Sequence, residues 1–246
     1  MVEHYNQPSF ITNDPLGIVR QLDNPKDIEI MGLILATISW GNRVSILKSG
    51  KKLMSIMGGE PYYFLKHFEE KNLDSLLDFK HRTFNVFDLQ FFIKRLQEIF
   101  KKHESLEEIF YPEFKNSINS YYPIINFRNI FLADYTTIRT KKHIANPLKG
   151  SAAKRLNMFL RWMVRNDGKG VDFGLWTKIK TSKLSCPLDI HSGNTARKLK
   201  LIERKNNDWK TVEELDNTLR ILDKNDPVKY DFALFGWGID KSSSVI

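Results

Sequence analysis

Lys154 and Asp189 stand out in the C-terminal half of the chain because a lysine and an aspartate can together carry out covalent chemistry. A neutral lysine amine is a nucleophile that forms a Schiff base with an electrophilic carbon, such as the anomeric carbon of a sugar. A carboxylate beside it can accept a proton or stabilise developing positive charge. Two ordinary roles stay open: a solvated lysine on a basic helix face, and an aspartate that caps a helix.

The residues just before Lys154 predict a turn between two helices, Pro147-Leu148-Lys149-Gly150, with Ser151 placed to cap the second helix. Such a turn points unpaired backbone N–H groups outward at the positive end of a helix dipole. That geometry binds a phosphate group without reading nucleotide sequence. We therefore expect Lys149, Gly150 and Ser151 to contact phosphate, although similar turns also serve as plain connections.

The overall charge of the chain favours a nucleic-acid partner. The formal net charge is +9 and the pI is about 9.4. A basic surplus strengthens binding to phosphates and makes that binding depend on salt, although it also serves solubility alone. Three further residues are predicted phosphate contacts: Arg155, Arg161 and Lys198.

The spacing of apolar residues predicts an all-α protein, because helical periods dominate and alternating strand patterns are scarce. Asn24 is placed to cap a helix that has Pro25 in its first turn and ends near residue 40. The predicted helices cover residues 24–40, 43–57, 61–70, 72–78, 86–103, 104–119, 122–139, 151–165, 173–179, 190–199, 209–223 and 226–238. No linker is visible, so we expect residues 1–246 to form a single unit whose hairpin and catalytic segment cover residues 140–200.

The predicted helix over residues 151–165 has two distinct faces. Helical spacing places one set of side chains in a buried stripe: Leu156, Phe159, Leu160 and Met163. The opposite, solvent-facing set is Lys154, Met158, Arg161 and Arg165. Asp189 directly precedes another helical pattern, where it is well placed as the N-cap.

Several classes of protein are excluded or disfavoured by composition. Cys186 is the single cysteine, which excludes an internal disulfide, an all-cysteine zinc site and a cysteine-ligated iron–sulfur cluster. The first residues lack the basic and apolar regions of a secretory signal. No apolar run approaches the length needed to span a bilayer. We expect a cytoplasmic protein that makes no membrane contact.

The arrays Gly150-x-x-x-Lys154-x-x-Asn157 and Pro187-x-Asp189-x-His191 resemble motifs of the helix-hairpin-helix DNA glycosylases. Residues 34–40 look like the early helix that lines the base pocket in that family, and residues 232–236 look like its closing helix. The hairpin keeps only one glycine, and the gap between Lys154 and Asp189 is longer than in most members. The archaeal 8-oxoguanine glycosylase branch has a similarly long gap. The wider pattern also resembles an uncharacterised bacterial family related to these enzymes.

The resemblance implies a two-lobed helical fold with a cleft between the lobes. It also implies a DNA glycosylase with AP-lyase activity, with an oxidised purine as the leading substrate. Lys154 would be the nucleophile and Asp189 its activating carboxylate, supported by His191 and Asn157. The implied partner is double-stranded DNA carrying a damaged base or an abasic site, bound by a monomer at the nucleoid, and no metal or organic cofactor is required.

A flipped base would need a pocket lined by aromatic and amide groups. The candidates are Trp40, Asn42 and Trp176, and Trp162 is a further aromatic residue that could reach a cleft. For Trp40 and Asn42 the alternative roles are a core tryptophan at a helix end and a helix C-cap. Two other functions stay open for the whole chain: a non-catalytic DNA-binding protein with this hairpin, and a helical protein whose basic face meets an acidic protein partner.

Overall fold

The computed structural model describes residues 1–12, 14–133 and 139–240, over which the protein is mostly helical. The predicted all-α class is confirmed. The α-helices are α1 (Val2–Tyr5), α2 (Pro8–Ile11), α3 (Leu16–Val19), α4 (Pro25–Ile38), α5 (Arg43–Ile56), α6 (Pro61–His67), α7 (Val86–Phe100), α8 (Glu107–Asn116), α9 (Tyr121–Phe131), α10 (Lys154–Val164), α11 (Ile190–Lys198), α12 (Trp209–Leu222) and α13 (Asp231–Ile239).

Shorter elements connect these helices. The 3₁₀ helices are Glu70–Leu76, Arg139–His143, Pro147–Lys149, Thr181–Lys183 and Pro227–Tyr230. Two-residue strands, β1 (Lys80–His81) and β2 (Phe84–Asn85), pair in an antiparallel hairpin in which His81 lies opposite Phe84.

The chain divides into two compact units, each built from separate stretches of sequence. Unit 1 comprises residues 1–10, 111–126 and 145–246, and unit 2 comprises residues 11–110 and 127–144. Three of the four boundaries fall inside α2, α8 and α9, so no Gly-, Pro- or Ser-rich linker marks them in the sequence. Unit 1 contains α10 to α13, and unit 2 contains α3 to α7.

The start of α4 in unit 2 follows directly from local sequence. The Asn24 side chain accepts a hydrogen bond from the Lys26 N–H at 2.9 Å, and Pro25 occupies the first helical position, as predicted. Most of α4 is buried, including Ile30, Leu33 and Ile34, so this helix forms the centre of the unit 2 core.

In unit 1, α11 packs closely along α13. A Cβ atom at Gly238 would come within 2.8 Å of the His191 carbonyl oxygen and of Thr195 Oγ1, so only glycine fits this contact. The predicted stripe on α10 is confirmed, because all four of its members are buried: Leu156, Phe159, Leu160 and Met163.

Three features of the predicted elements are wrong. The helix expected from residue 151 begins at Lys154, because Ala153 takes the N-cap position in a left-handed conformation. Residues 173–179 form irregular structure instead of a helical insert. The helix expected over residues 122–139 ends at Phe131, and residues 134–138 of that prediction lie outside the described part of the chain.

The two arginines expected on the solvent face of α10 are also buried. Arg161 is 0% exposed and forms ion pairs with Asp172 at 3.1 Å and with Asp231 at 2.7 Å. Arg165, at the end of the helix, pairs with Asp167, Asp172 and Asp226 at 2.9–3.0 Å. Burial of a guanidinium requires such carboxylate partners, which come from other parts of unit 1.

Candidate functional site

Lys154 and Asp189 meet in unit 1. The Lys154 Nζ atom lies 3.5 Å from Asp189 Oδ2, and the two side chains are 29% and 23% exposed. Lys154 is the first residue of α10 and Asp189 is the N-cap of α11, so two helix starts bring the groups together. An amine and a carboxylate at this distance, both reachable from solvent, can exchange a proton and receive a ligand.

Asp189 uses its two carboxylate oxygens for different contacts. Oδ1 accepts the Ser192 backbone N–H at 2.9 Å, and the Ser192 hydroxyl accepts the Asp189 N–H at 2.9 Å, which completes a capping box. Oδ2 is the oxygen nearest to Lys154. The predicted N-cap is confirmed, and the cap fixes the carboxylate while leaving one oxygen directed at the amine.

The turn before Lys154 has a strained backbone. Ala153 has φ = +48°, a left-handed conformation that is unfavourable for a residue with a Cβ atom, and it is buried. The Ala153 N–H donates to Ser151 Oγ at 3.2 Å. Asn157 is fully buried, and its Nδ2 donates to the Ala152 carbonyl at 3.2 Å. Asn157 therefore supports the turn that presents Lys154, and its burial keeps it from contacting a ligand.

One side of α13 completes the surroundings of Lys154. The Lys154 ammonium lies 5.6 Å from the Phe235 ring centroid, within the range of a cation–π contact. The exposed His191 ring packs edge-on against the same phenyl ring, with centroids 5.8 Å apart. Asp231 and Phe235 are four residues apart and so share a helix face. The sequence analysis did not assign Asp231 or Phe235 to the site. Their spacing of four residues in a helical pattern is the signal that would have placed them on one face.

Burial shifts the pKa values of two titratable groups in unit 1, Asp231 and Cys186. Burial raises the pKa of Asp231, while the positive charges of Arg161 and Lys154 act in the opposite direction. Burial, together with nearby carboxylates, raises the pKa of the Cys186 thiol well above its usual value. Cys186 is therefore held as a neutral thiol and is a poor nucleophile.

The hairpin is exposed but differs from its predicted geometry. Lys149, Gly150 and Ser151 are all exposed, and Gly150 adopts φ = +82°. The Gly150 N–H donates to the Pro147 carbonyl at 2.8 Å, and the Ser151 N–H donates to the Asn146 carbonyl at 3.3 Å. The expectation of unpaired N–H groups at these two residues is therefore wrong, because the tight turn uses them internally.

The remaining predicted phosphate contacts differ in exposure. Lys149 and Lys198 are exposed, and the Lys198 ammonium lies 5.5 Å from the ring centroid of Trp237. Arg155 is half-buried, and desolvation lowers the pKa of its guanidinium. Arg161 is wrong as a phosphate contact, since it is fully buried and paired with carboxylates.

The predicted base-pocket residues are not all available to a ligand. Trp176 is 2% exposed and packs edge-on against Phe159, so its assignment to a pocket is wrong. Trp162 is likewise fully buried.

Trp40 and Asn42 belong to unit 2. Trp40 is half-buried beneath the Arg82 guanidinium, which lies 4.6 Å from the ring centroid. The exposed Asn42 caps the N-terminus of α5 by accepting the Val44 N–H at 2.9 Å, rather than capping the C-terminus of α4.

In residues 1–12, 14–133 and 139–240, no group of three or more His, Cys, Asp or Glu side chains is arranged to hold a metal ion. Within the same described ranges, no helix combines the length and apolar character needed to cross a membrane.

Comparison with known proteins identifies the family. The model of the family described as "Protein of unknown function (DUF2400)" matches residues 14–240, and the chain belongs to this family. No curated protein and no solved structure matches the chain.

Proposed function

We propose that this member of the DUF2400 family is a DNA glycosylase with AP-lyase activity, which removes a damaged base through a Schiff base on Lys154. The observation that supports it most directly is the 3.5 Å approach of Lys154 Nζ to Asp189 Oδ2, with both groups partly exposed. The relationship to the helix-hairpin-helix glycosylases is part of the proposal and rests on the sequence motifs. An oxidised purine in duplex DNA is the proposed substrate.

The first step is displacement of the base. Asp189 Oδ2 accepts a proton from the Lys154 ammonium, and the neutral amine attacks C1′ of the damaged nucleotide. A bond forms between Nζ and C1′ while the bond from C1′ to the base breaks. The base leaves with the electron pair of that bond and takes up a proton.

The second step cleaves the DNA strand. The C1′–O4′ bond opens, O4′ takes up a proton and the nitrogen becomes a protonated Schiff base, which makes the protons on C2′ acidic. Loss of one of them breaks the C3′–O3′ bond by β-elimination and releases the 3′ strand. Water then hydrolyses the Schiff base, which regenerates the Lys154 amine.

Phe235 has a role in this scheme that follows from its contact with Lys154. The nitrogen is cationic in the resting ammonium and again in the protonated Schiff base. The face of a phenyl ring attracts a cation, and the ammonium lies 5.6 Å from the Phe235 centroid. The ring therefore favours both cationic states without supplying a competing proton acceptor.

Borohydride trapping on a panel of duplexes tests the proposal. The duplexes carry an abasic site, 8-oxoguanine, uracil or thymine glycol, and borohydride reduces a Schiff base to a stable amine. We expect the wild-type protein and Lys149→Gln to form a covalent adduct, and Lys154→Gln to form none. Asp189→Asn keeps a capping oxygen for Ser192 and should trap more slowly, by roughly 10²–10⁴-fold. If no duplex traps the wild-type protein, abasic DNA included, the enzymatic assignment fails.

The second candidate function is non-catalytic DNA binding. It is favoured by the same ion pair, since Lys154 and Asp189 would then simply hold the starts of α10 and α11 together. In that case Lys154→Gln leaves affinity for abasic duplex DNA within about twofold, because one phosphate contact at most is lost. Trapping and binding measured on the same variants separate the two functions.

A further inference from the structure

Helix α5 in unit 2 has a clear division between an inner and an outer face. The inner face is buried and consists of Ile46, Gly50 and Leu53, followed by Met57 just after the helix. The outer face is exposed and consists of Val44, Ser45, Lys48, Lys51, Lys52 and Ser55. The helix contains no aspartate or glutamate, so its outer face is uniformly positive.

The β1–β2 hairpin is held beside α5 by hydrogen bonds. Ser49 Oγ and His81 Nδ1 are 2.9 Å apart, and His81 Nε2 lies 3.2 Å from the Trp40 carbonyl oxygen. The Lys52 ammonium donates to the Asp78 carbonyl at 2.6 Å. His81 is buried, whereas Lys80 on the strand is exposed. The hairpin therefore adds its outward residues to the positive face of the helix.

Arg82 at the hairpin turn is held in a defined position. Its backbone has φ = +54°, a conformation uncommon for a residue with a Cβ atom, and its guanidinium lies 4.6 Å from the Trp40 ring centroid. A Cβ atom at Gly41 would come 2.6 Å from Arg82 Nη1, so glycine at this position leaves room for the guanidinium. A guanidinium stacked on a ring through its face keeps N–H groups at its edge, where they can donate to an anion.

Within the described residues, no aspartate or glutamate oxygen lies within 4.0 Å of the charged groups of Lys48, Lys51, Lys80 or Arg82. We name the set Lys48, Lys51, Lys52, Lys80 and Arg82 the α5 surface.

We propose that the α5 surface binds the phosphate backbone of duplex DNA, through residues other than Lys154 and Asp189. This inference rests on the proposed function for the identity of the polymer. Protein–protein interfaces need an apolar centre and are depleted in lysine, and Val44 is the single large apolar side chain exposed on the outer face of α5. A phosphate backbone needs only positive charge, so the chemistry of this face fits DNA better than an acidic protein.

The test is the salt dependence of binding to a lesion-free duplex, measured by fluorescence anisotropy over a series of NaCl concentrations. The triple variant Lys48→Gln, Lys51→Gln, Lys52→Gln removes three charges from the α5 surface. The matched control, Lys66→Gln, Lys101→Gln, Lys102→Gln, removes three exposed charges from elsewhere in unit 2. Each phosphate contact contributes about 0.9 to the slope of log affinity against log salt. We therefore expect the α5 triple variant to lower that slope by about 2–3 and the control to change it by less than about 1.

The outcomes distinguish this inference from the proposed function. If both triple variants bind duplex DNA as the wild type does, or weaken it equally, the α5 assignment is overturned. In that case wild-type trapping on abasic DNA still supports the chemistry of Lys154. If the α5 triple variant loses affinity only for single-stranded DNA or for an acidic peptide, the assignment to duplex DNA is likewise overturned. If the wild type neither binds duplex DNA nor forms a trapped adduct, both proposals fail together.

Discussion

Two helices, α5 in unit 2 and α10 in unit 1, are rich in basic residues but place them in opposite environments. On α5 the three lysines are exposed on one outer face. On α10 the first cation, Lys154, is partly exposed, whereas Arg161 is fully buried, as is Arg165 immediately after the helix. The buried arginines are surrounded by carboxylates, so their charge is neutralised within the fold, while the lysines keep theirs available for a ligand.

The comparison shows that basic residues of one sequence can be neutralised inside the fold in one helix and left exposed to solvent in another. A charge removed from water needs close opposite charges, and Asp172, Asp226 and Asp231 provide them in unit 1. An exposed lysine has no such requirement, and its loss changes stability little.

The largest expected effect is at Arg161. Arg161→Met keeps an unbranched side chain but leaves Asp172 and Asp231 without the guanidinium that neutralises them. We expect the free energy of unfolding to fall by roughly 3–5 kcal/mol, measured by urea denaturation at pH 7. A loss below about 1 kcal/mol would show that the network contributes little, and the contrast with α5 would disappear.

Asp216 on α12 is a buried carboxylate whose cationic partner is farther away than the partners of Arg161. We therefore expect it to make the stability of the protein depend on pH. Burial raises its pKa to about 6, and the nearest cation is Arg220 Nη1 at 3.7 Å. Because an acid with a raised pKa holds its proton more tightly when folded, its contribution to stability falls as the pH rises from about 4 to 6. The rise from 3.8 to about 6 corresponds to a loss on the order of 3 kcal/mol.

Asp216→Asn isolates this effect because it keeps an acceptor for the Cys186 N–H, which donates to Asp216 Oδ1 at 2.8 Å. Urea denaturation of both proteins at pH 3.5 and pH 7 gives the difference in unfolding free energy. We expect the wild type to lose stability relative to the variant over this range. A difference that does not change with pH would contradict the assigned burial of the charge.

Ala153→Gly probes the strained start of α10. Glycine adopts φ = +48° without the steric conflict that a Cβ atom causes, although it also makes the unfolded chain more flexible. We expect a net gain of about 0.5 kcal/mol in the free energy of unfolding, measured by thermal denaturation. Ala152→Gly is the control, because Ala152 does not have a positive φ. It should not stabilise the protein.

The smallest expected effect on stability is on α5. Lys48→Gln and Lys51→Gln should each change the free energy of unfolding by less than about 0.5 kcal/mol, since these side chains are exposed. Chemical denaturation of the single variants checks this. A loss of unfolding free energy comparable to that of Arg161→Met would mean that these lysines stabilise the fold. Their exposed charge would then no longer support a role in ligand binding.

Local sequence was sufficient to predict some elements of the fold and site. The caps Asn24 and Asp189 were predictable because a capping side chain bonds to backbone groups only two or three residues away. The apolar stripe of α10 followed from periodicity. The burial of Arg161 did not, because its partner carboxylates, Asp172 and Asp231, lie 11 and 70 residues further along the chain and only the fold brings them close.

In the hairpin before α10, local sequence again predicted only part of the structure. Sequence placed Gly150 in a turn, and its positive φ agrees with that. It did not reveal the left-handed Ala153, because alanine normally avoids that conformation, nor the internal use of the Gly150 N–H. Both depend on how the turn is supported by surrounding groups such as the buried Asn157.

The position of the covalent link tests the central claim most directly. After borohydride reduction on abasic duplex DNA, the adduct would be digested and the modified peptide mapped by mass spectrometry. The account predicts a single modified residue, Lys154, whose amine lies 3.5 Å from Asp189. Modification at Lys149 or another exposed lysine, or an adduct that forms equally well with Lys154→Gln, would contradict it.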